Sequence, residues 1–581
     1  MSAIPVGMPR YAPDAGAAHN YRAEPTRTNF SQPHDKAPPE LVARTWDAQG
    51  LRLLLSDTLR GDQVIVVSNR APCTHERVNG VIQLTQPASG LVTAIEPVVR
   101  ACAGTWIAHG SGSADAAFVN ENSIFQVPPT GGEESATSGY SLRRLWLSAA
   151  EQSGYCDGFS NAGLWPLCHL AHVRPSFVEA DWTHYRRVNQ RFADAVAKEA
   201  RSADPIVLVQ DYHLALVPAM VRQLLPRATI VSFWHIPWGH AEQMGICPWL
   251  PELVNGLLGS DIVGFQTPAH WRNFVDSAQR CGTPLTTAER RANTTPGYPR
   301  SQGNGSSRIT QQQTGAHTAQ VRDYPISIAW PTPPEQTGLP SIAHCRSLAE
   351  ARWALPKDAK LIVGIDRFDY TKGLLERLHA IEHLLLTRPQ WQGKLRLIQV
   401  AAPSRTALQD YANFRTEVFA QVQRINARFA AHGPAPIVLL DAHHDRAAVT
   451  ALYRAADLCL VTSLHDGMNL VCKEFVAARD DEQGVLVLSQ FAGAADELSE
   501  ALIVNPYHTA QVADALHLGL VMPAHEQRQR MRALRSTVQS RNVYRWAAHM
   551  LLDAATLRRT RHARQTAHPA LSQVVGAVDP A

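Results

Sequence analysis

Residues 361–373, LIVGIDRFDYTKG, and residues 460–474, LVTSLHDGMNLVCKE, each open as an apolar, β-branched run and close in a charged loop. A run such as LIVGI reads as a buried strand that ends at the carboxyl edge of a parallel sheet, where open α/β folds place their ligands. That edge receives Arg367 and Lys372. Two fixed cations there suit a diphosphate. In the second stretch Gly467 permits a tight turn, the backbone N–H groups that follow open a helix and favour an anion, and Glu474 falls about two turns on. A carboxylate so placed can grip a ribose. Either segment alone also reads as a solvated sheet edge; the two together describe a nucleotide-sugar site.

Working outward, the same strand pattern recurs. The first half carries QVIVVSN (63–69), PIVLVQD (205–211), ATIVSFWH (228–235) and SDIVGFQT (260–267). The second half adds LRLIQVA (395–401), APIVLLD (435–441), ADLCLVTS (456–463) and GVLVLSQ (484–490). Strands alternating with helical segments in two sets predict an α/β protein of two Rossmann-like domains. The expected organisation is a disordered leader over 1–50 and an N-terminal domain over 51–325 with a mobile low-complexity insert at 284–317. A C-terminal domain follows over 326–540, then a crossover helix over 541–560 and a disordered tail over 561–581.

Composition bounds the function. At 581 residues, 45% hydrophobic and 18% charged, the chain can bury large cores. A net charge of +4, with no Lys/Arg stripe interleaved with aromatics, argues against nucleic acid. The nine cysteines form no C-x-x-C pair and read as reduced thiols, with no metal site expected. No stretch approaches the ~18 consecutive apolar residues of a membrane span, and the start lacks a secretory signal pattern. A soluble, cytoplasmic protein is expected. The Ala/Pro/Ser-rich leader also resembles the unstructured leaders of type III-secreted effectors, so delivery outside the cell stays open beside an ordinary tail. A homo-oligomer likewise stays open.

The N-terminal half supplies a second set of strand ends. VIVVSNR delivers Arg70, and PASGLVTAIEP places Ser89-Gly90 at a helix start whose amides can face a phosphate. VQDYHL and FWHIPW put Asp211 and His235 at the same edge. Each of these, read singly, is equally a loop polar group.

Over about residues 62–560 the sequence resembles the retaining glycosyltransferases that include the trehalose-6-phosphate synthases, whose DRLDYTKG and DGMNLVAKE segments bind UDP-glucose. The resemblance implies the GT-B arrangement, with the last helix crossing back to the first domain. It implies UDP-glucose as co-substrate, glucose 6-phosphate as acceptor, and no cofactor or metal. By matching positions, the donor-binding set is Gly90, His235, Arg367, Lys372, Asp466, Gly467, Met468, Asn469, Leu470 and Glu474. The acceptor-binding set is Arg70, His109, Cys156, Trp165, Asp211 and Arg405. Arg367 and Lys372 stabilise the leaving diphosphate, while His235 and Asp211 orient the two sugars; these four form the catalytic set. No D-x-D carboxylate pair of the metal-dependent kind is present.

The acceptor side departs from the family pattern. His109, in IAHGSGSAD, stands where many relatives have Trp, and Cys156 follows Tyr155 where they have Tyr-Tyr. HGSGSAD and WHIPW resemble a bacterial branch of the family; Cys156 does not. Three readings stay open: synthesis of trehalose 6-phosphate, a sister activity on another phosphorylated acceptor such as glycerol 3-phosphate, and a non-catalytic sugar-phosphate sensor. No Asp-x-Asp of a haloacid dehalogenase-type phosphatase follows the last helix, so the reaction is expected to stop at the phosphorylated product.

Overall fold

The structure, a computed structural model, describes residues 46–58, 62–85, 90–129, 139–170, 173–283, 307–311, 317–330, 339–356 and 358–567. The first half contributes β1 (Val64–Arg70), β2 (Thr74–Val78), β3 (Val81–Thr85), β4 (Thr105–His109), β5 (Ile124–Val127) and β6 (Tyr140–Leu145). It continues with β7 (Ile206–Gln210), β8 (Thr229–Phe233), β9 (Ile262–Phe265), β10 (Ser307–Gln311) and β11 (His317–Asp323). β2 and β3 pair as a hairpin; the other nine form one sheet in the order β10-β11-β9-β8-β7-β1-β4-β6-β5. It is parallel except at its two edge strands. The second half contributes β12 (Lys360–Arg367), β13 (Leu395–Ala402), β14 (Ile437–Leu440), β15 (Leu458–Val461), β16 (Val485–Ser489) and β17 (Leu502–Val504). These six are parallel throughout, in the order β14-β13-β12-β15-β16-β17.

Helices on both faces explain why the central strands are continuous apolar runs. IVLVQ of β7 and VLVLS of β16 are buried at every position. The period of two then sorts side chains between cores. Val64 and Val66 of β1 join one cluster and Ile65 and Val67 another. In β12, Val363 enters the same cluster as Val64, whereas Ile362 faces the outer side of the second sheet. The inner faces of both sheets therefore share one continuous core. The C-terminal helix Val543–Ala567 contributes Trp546, Leu551 and Ala555 to it, with the Trp546 ring 5.2 Å from Phe233 of β8.

Three expected segments shift their bounds. The leader was drawn to residue 50, but a helix starts at Ala48: Asp47 Oδ1 accepts from Gly50 N at 2.7 Å, and Leu51, Leu54 and Leu55 pack into the inner core. The insert was drawn over 284–317, but Ser307–Gln311 pair antiparallel with β11. A low-complexity composition does not prevent a main-chain ladder at a sheet edge. The final helix was drawn over 541–560 with a tail after it, but it runs over Val543–Ala567. Its arginines hold carboxylates of the first half: Arg558 bonds Asp62 at 2.5 Å and Asp204 at 2.6 Å, and Arg561 bonds Asp261 at 3.2 Å. Residues 1–45, 284–306, 312–316 and 568–581, which hold the rest of the leader, insert and tail, lie outside the described residues. Among the described residues no helix is long and apolar enough to cross a membrane.

Candidate functional site

Strand order fixes where the site lies. In the first sheet the chain runs outward from β1 through β4 to β6 and returns to β7 on the other side of β1. In the second it runs from β12 through β13 to β14 and returns to β15. Each reversal leaves a crevice at the carboxyl ends of two strands, the place where doubly wound sheets bind ligands. The ends are Arg70 and Asp211 in one sheet, Arg367 and the loop to Asp466 in the other. All four residues line one cavity of ≈ 1410 Å³.

The C-terminal wall is pre-paired. Lys372 Nζ donates to Asp466 Oδ2 at 2.6 Å, and Ser463 Oγ and Asn469 Nδ2 donate to the same oxygen at 3.2 Å. Burial would raise the Asp466 pKa; Lys372 outweighs it and holds the carboxyl below the usual range. An ammonium has three N–H groups, so the pair still leaves donors for a phosphate. Arg367 Nη1 reaches Ser404 Oγ at 3.4 Å, and Nη2 lies 3.8 Å from Asp369 Oδ2. Met468, Asn469, Leu470 and Glu474 line the cavity. Asn469, at φ 76°, caps the Leu470–Ala478 helix by accepting from Cys472 N at 3.2 Å. Leu470 abuts Gly90, the first residue of the Gly90–Cys102 helix: a Cβ on Gly90 would lie 3.3 Å from Leu470 Cδ1. Two helix N-termini thus meet at the cavity, each favouring negative charge. Ser89 lies outside the described residues. Tyr453 donates to Glu474 Oε2 at 3.2 Å, and burial raises the Glu474 pKa against Arg446 and that bond.

On the N-terminal wall, Asp211 Oδ1 accepts from Tyr212 N at 3.0 Å and His235 N at 3.3 Å. Burial nevertheless raises its pKa to about 6. Burial also lowers His235 to about 3, so the ring is neutral; its Nε2 lies 2.8 Å from Gln210 Oε1. Cys156 and Asn161 belong to a π-helix over Ser153–Leu164, whose i→i+5 spacing brings residues five apart into line. Asn161 Nδ2 accordingly donates to Cys156 Sγ at 3.4 Å, with Asn69 Nδ2 3.7 Å from the same sulfur. Burial raises the thiol pKa, so Cys156 is a neutral polar contact.

Three arginines converge. Arg405 crosses between halves: Nε donates to Asn161 Oδ1 at 3.0 Å, Nη2 to Tyr212 Oη at 3.2 Å, and Nη1 to Asp369 Oδ2 at 2.8 Å and Tyr411 Oη at 2.5 Å. Its guanidinium lies 3.7 Å from the Trp165 ring centroid, and that of Arg367 lies 5.7 Å from it. Of five N–H groups on an arginine fork, Arg405 commits four to protein. Arg70 differs: among the described residues its side chain makes no hydrogen bond or ion pair and is exposed to the cleft, while its carbonyl accepts from Ser68 Oγ at 2.8 Å. Burial within the cleft and the charges of Arg367 and Arg405 lower its pKa. Such crowded like charges are relieved by an anion.

The backbone is strained at the same place. Asp211 (φ 75°, ψ 167°), Arg405 (φ 48°) and Asn469 (φ 76°) all adopt positive φ, which costs about 1–3 kcal/mol each and is kept only where the surroundings enforce it.

Two expected residues are off the wall. His109 pairs in register with Arg70 but does not line the cavity; the charges acting on its ring are Asp115 and Arg191, and burial lowers its pKa to about 4. Gly467 is also absent from the lining, and its requirement is steric: a Cβ would lie 2.1 Å from the His235 carbonyl oxygen of the opposite half. The left-handed residue of that turn is Asn469. Sequence reasoning missed Gln210, Tyr212, Asp369, Tyr411 and Tyr453. Asp369 sits inside the quoted DRFDYTKG, and Gln210 and Tyr212 flank Asp211, so adjacency was the available signal. Among the described residues, no group of three or more His, Cys, Asp or Glu is arranged to hold a metal ion.

Comparison with known proteins agrees with this geometry. The family model described as glycosyltransferase family 20 matches residues 62–556. A trehalose-6-phosphate synthase of Mycobacterium sp. (strain JLS) is 39% identical over 495 residues, spanning 84% of this chain and 95% of the relative. A solved structure described as trehalose-6-phosphate from E. coli bound with UDP-2-fluoro glucose superposes with a TM-score of 0.70 at 31% identity, covering 85% of this chain and 99% of that one. An α,α-trehalose-phosphate synthase (UDP-forming) from Burkholderia xenovorans in complex with glucose-6-phosphate superposes with a TM-score of 0.69 at 30% identity, covering 85% and 99%. The match runs through both sheets, both crevices and the cavity between them, and the chain belongs to glycosyltransferase family 20.

Proposed function

We propose that the chain is an α,α-trehalose-6-phosphate synthase, a retaining glycosyltransferase that moves glucose from UDP-glucose to glucose 6-phosphate and yields trehalose 6-phosphate and UDP. The observation that carries this reading is the convergence of Arg70, Arg367, Lys372 and Arg405 with two helix N-termini at facing sheet crevices. One diphosphate and one phosphate monoester would neutralise that concentration of positive charge. The family's UDP-glucose analogue and glucose-6-phosphate complexes support the assignment of the two anions.

In this reading residues 326–540 form the donor half and residues 51–325 the acceptor half. Glu474 holds the ribose, Asp466 and His235 hold the glucose, and Arg367 and Lys372 take the diphosphate. As the glycosidic bond to UDP breaks, negative charge grows on the β-phosphate and the sugar gains oxocarbenium character. Arg367 and Lys372 then bind the transition state more strongly than the ground state. The acceptor attacks from the face that UDP leaves, so the leaving phosphate takes its proton and the configuration is retained. Asp211 and Arg70 orient glucose 6-phosphate, which makes positioning and exclusion of water the protein's main contribution. Because two cations supply the countercharge, the proposed reaction proceeds without metal and without a cofactor.

Cys156 on the acceptor wall favours a second reading, in which another phosphorylated acceptor such as glycerol 3-phosphate replaces glucose 6-phosphate on the same donor wall. Purified protein incubated with UDP-glucose, EDTA and either acceptor distinguishes the two by UDP release and product mass. The expected product is a phosphorylated non-reducing disaccharide formed from glucose 6-phosphate alone. Product from glycerol 3-phosphate alone would move the chain to the sister activity, and no UDP from either would leave a sugar-phosphate sensor.

A further inference from the structure

Gln210 ends β7 beside the catalytic strand ends. It is almost fully buried, lines the cavity, and pairs in register with Phe233 of β8, two residues before His235. Its Oε1 lies 2.8 Å from His235 Nε2. In this orientation the amide oxygen accepts, and the ring nitrogen facing it carries the hydrogen. One further contact reaches the imidazole, and three hold the His235 backbone. Its ring packs edge-on against Phe233 at 4.6 Å, its backbone N–H donates to Asp211 Oδ1, its carbonyl accepts from Gln266 Nε2 at 3.3 Å, and Gly467 closes on that carbonyl from the opposite half.

We infer that Gln210 is a positioning residue that fixes the His235 tautomer, protonated at Nε2 and open at Nδ1, so that the ring offers an acceptor to a hydroxyl of the transferred sugar. The second half of that statement rests on the proposed glucosyl transfer; the tautomer does not. Burial keeps the ring neutral at any ordinary pH, which gives the tautomer rather than the charge the deciding part. An amide suits this task better than a carboxylate. Glutamate at position 210 would also accept from Nε2, but it would favour the imidazolium, whose Nδ1 then carries a proton and can no longer accept.

The test has two arms. In the first, ¹⁵N-histidine-labelled full-length protein without substrates is compared with Gln210→Leu by long-range ¹H–¹⁵N correlation, with His235 assigned by loss of its signal in His235→Asn. The expected wild-type pattern is a protonated Nε2 and an unprotonated Nδ1, and Gln210→Leu shifts the tautomer ratio. The reverse tautomer in the wild type, or an unchanged ratio in the variant, would overturn the inference whatever the protein catalyses. In the second arm, kcat for UDP release is followed against pH. Gln210→Leu lowers kcat about tenfold at all pH values, the equivalent of one hydrogen bond. Gln210→Glu gains an acidic limb beyond the one that Asp211, with its pKa of about 6, gives wild type and variant alike, because turnover falls as the pH drops through the raised His235 pKa. A Glu variant whose profile superposes on the wild type would overturn the role assigned to the ring. The expected tautomer in a wild type that releases no UDP would instead count against the transfer reaction.

Discussion

The two walls of the cavity are built differently. On the C-terminal wall the charged groups find their partners within their own half: Lys372 pairs with Asp466, and Glu474 accepts a hydrogen bond from Tyr453. Beneath them Arg377, fully buried, bridges Asp366 at 2.7 Å, Gln399 at 2.6 Å and Thr462 at 3.1 Å. On the N-terminal wall the main cation, Arg405, is lent by the opposite half, while the Arg70 side chain makes no ion pair among the described residues and has Arg367 and Arg405 as neighbouring cations. A wall made from contiguous motifs is organised before its ligand arrives. A wall assembled from both halves takes its geometry from how the halves meet.

The sharpest way to break the comparison is to remove each arginine of the acceptor wall. Arg405→Ala leaves the buried Asp369 with only the 3.8 Å contact to Arg367 and its bonds from Thr371, so urea unfolding is expected to show a loss of about 3 kcal/mol. Arg70→Ala leaves no partner behind and should stay within about 0.5 kcal/mol of the wild type. Equal losses would mean that Arg405 does not join the halves.

Next in size is the donor wall. Arg367→Ala and Lys372→Ala are each expected to lower kcat by about 10²–10³-fold, with the melting temperature little changed in Arg367→Ala and lowered in Lys372→Ala, which leaves the Asp466 carboxylate without its cation. Near-normal turnover in both would remove the proposed electrostatic catalysis.

Much of the donor wall was legible because a doubly buried parallel strand needs an apolar run and its loop follows at once. LIVGIDRFDYTKG thus gave strand, end and cations together. The acceptor wall was legible only in pieces. Arg405 lies 244 positions from Asn161 and 193 from Tyr212, and no local pattern links them. The π-helix that aligns Cys156 with Asn161 has no periodicity that composition reveals, and Gln210 carries no charge to draw notice beside Asp211. His109 was expected on the wall because it stands where many relatives have Trp. Strand register places it beside Arg70 but does not turn it to the cavity.

Asp211 supplies a pH test of the strained edge. Its folded pKa, about 6, lies above the ordinary aspartate value, so the folded state binds its proton more tightly than the unfolded chain does. Stability from this group is therefore present below about pH 4 and lost as the pH rises through about 6. Asp211→Asn removes the dependence and should gain about 1–3 kcal/mol relative to wild type between pH 4 and pH 8, while losing acceptor turnover. A wild-type advantage that grows with pH would contradict the assignment.

The smallest effects are expected at the two departures from the family pattern. Cys156→Ser should change the acceptor KM by less than about fivefold, since the thiol makes only two long contacts to amides. His109→Ala should change it less still, because the ring is off the wall. A larger effect at His109 than at Cys156, read from acceptor titrations, would reverse their placement.

The central claim is that one wall binds the nucleotide sugar and the other the phosphorylated acceptor. The most direct measurement sets the UDP affinity and the acceptor kcat/KM of Lys372→Ala and Arg70→Ala side by side. The account predicts that Lys372→Ala weakens UDP binding at least tenfold, whereas Arg70→Ala leaves UDP affinity within about threefold and loses acceptor kcat/KM. Equal losses of UDP affinity in both variants would contradict it.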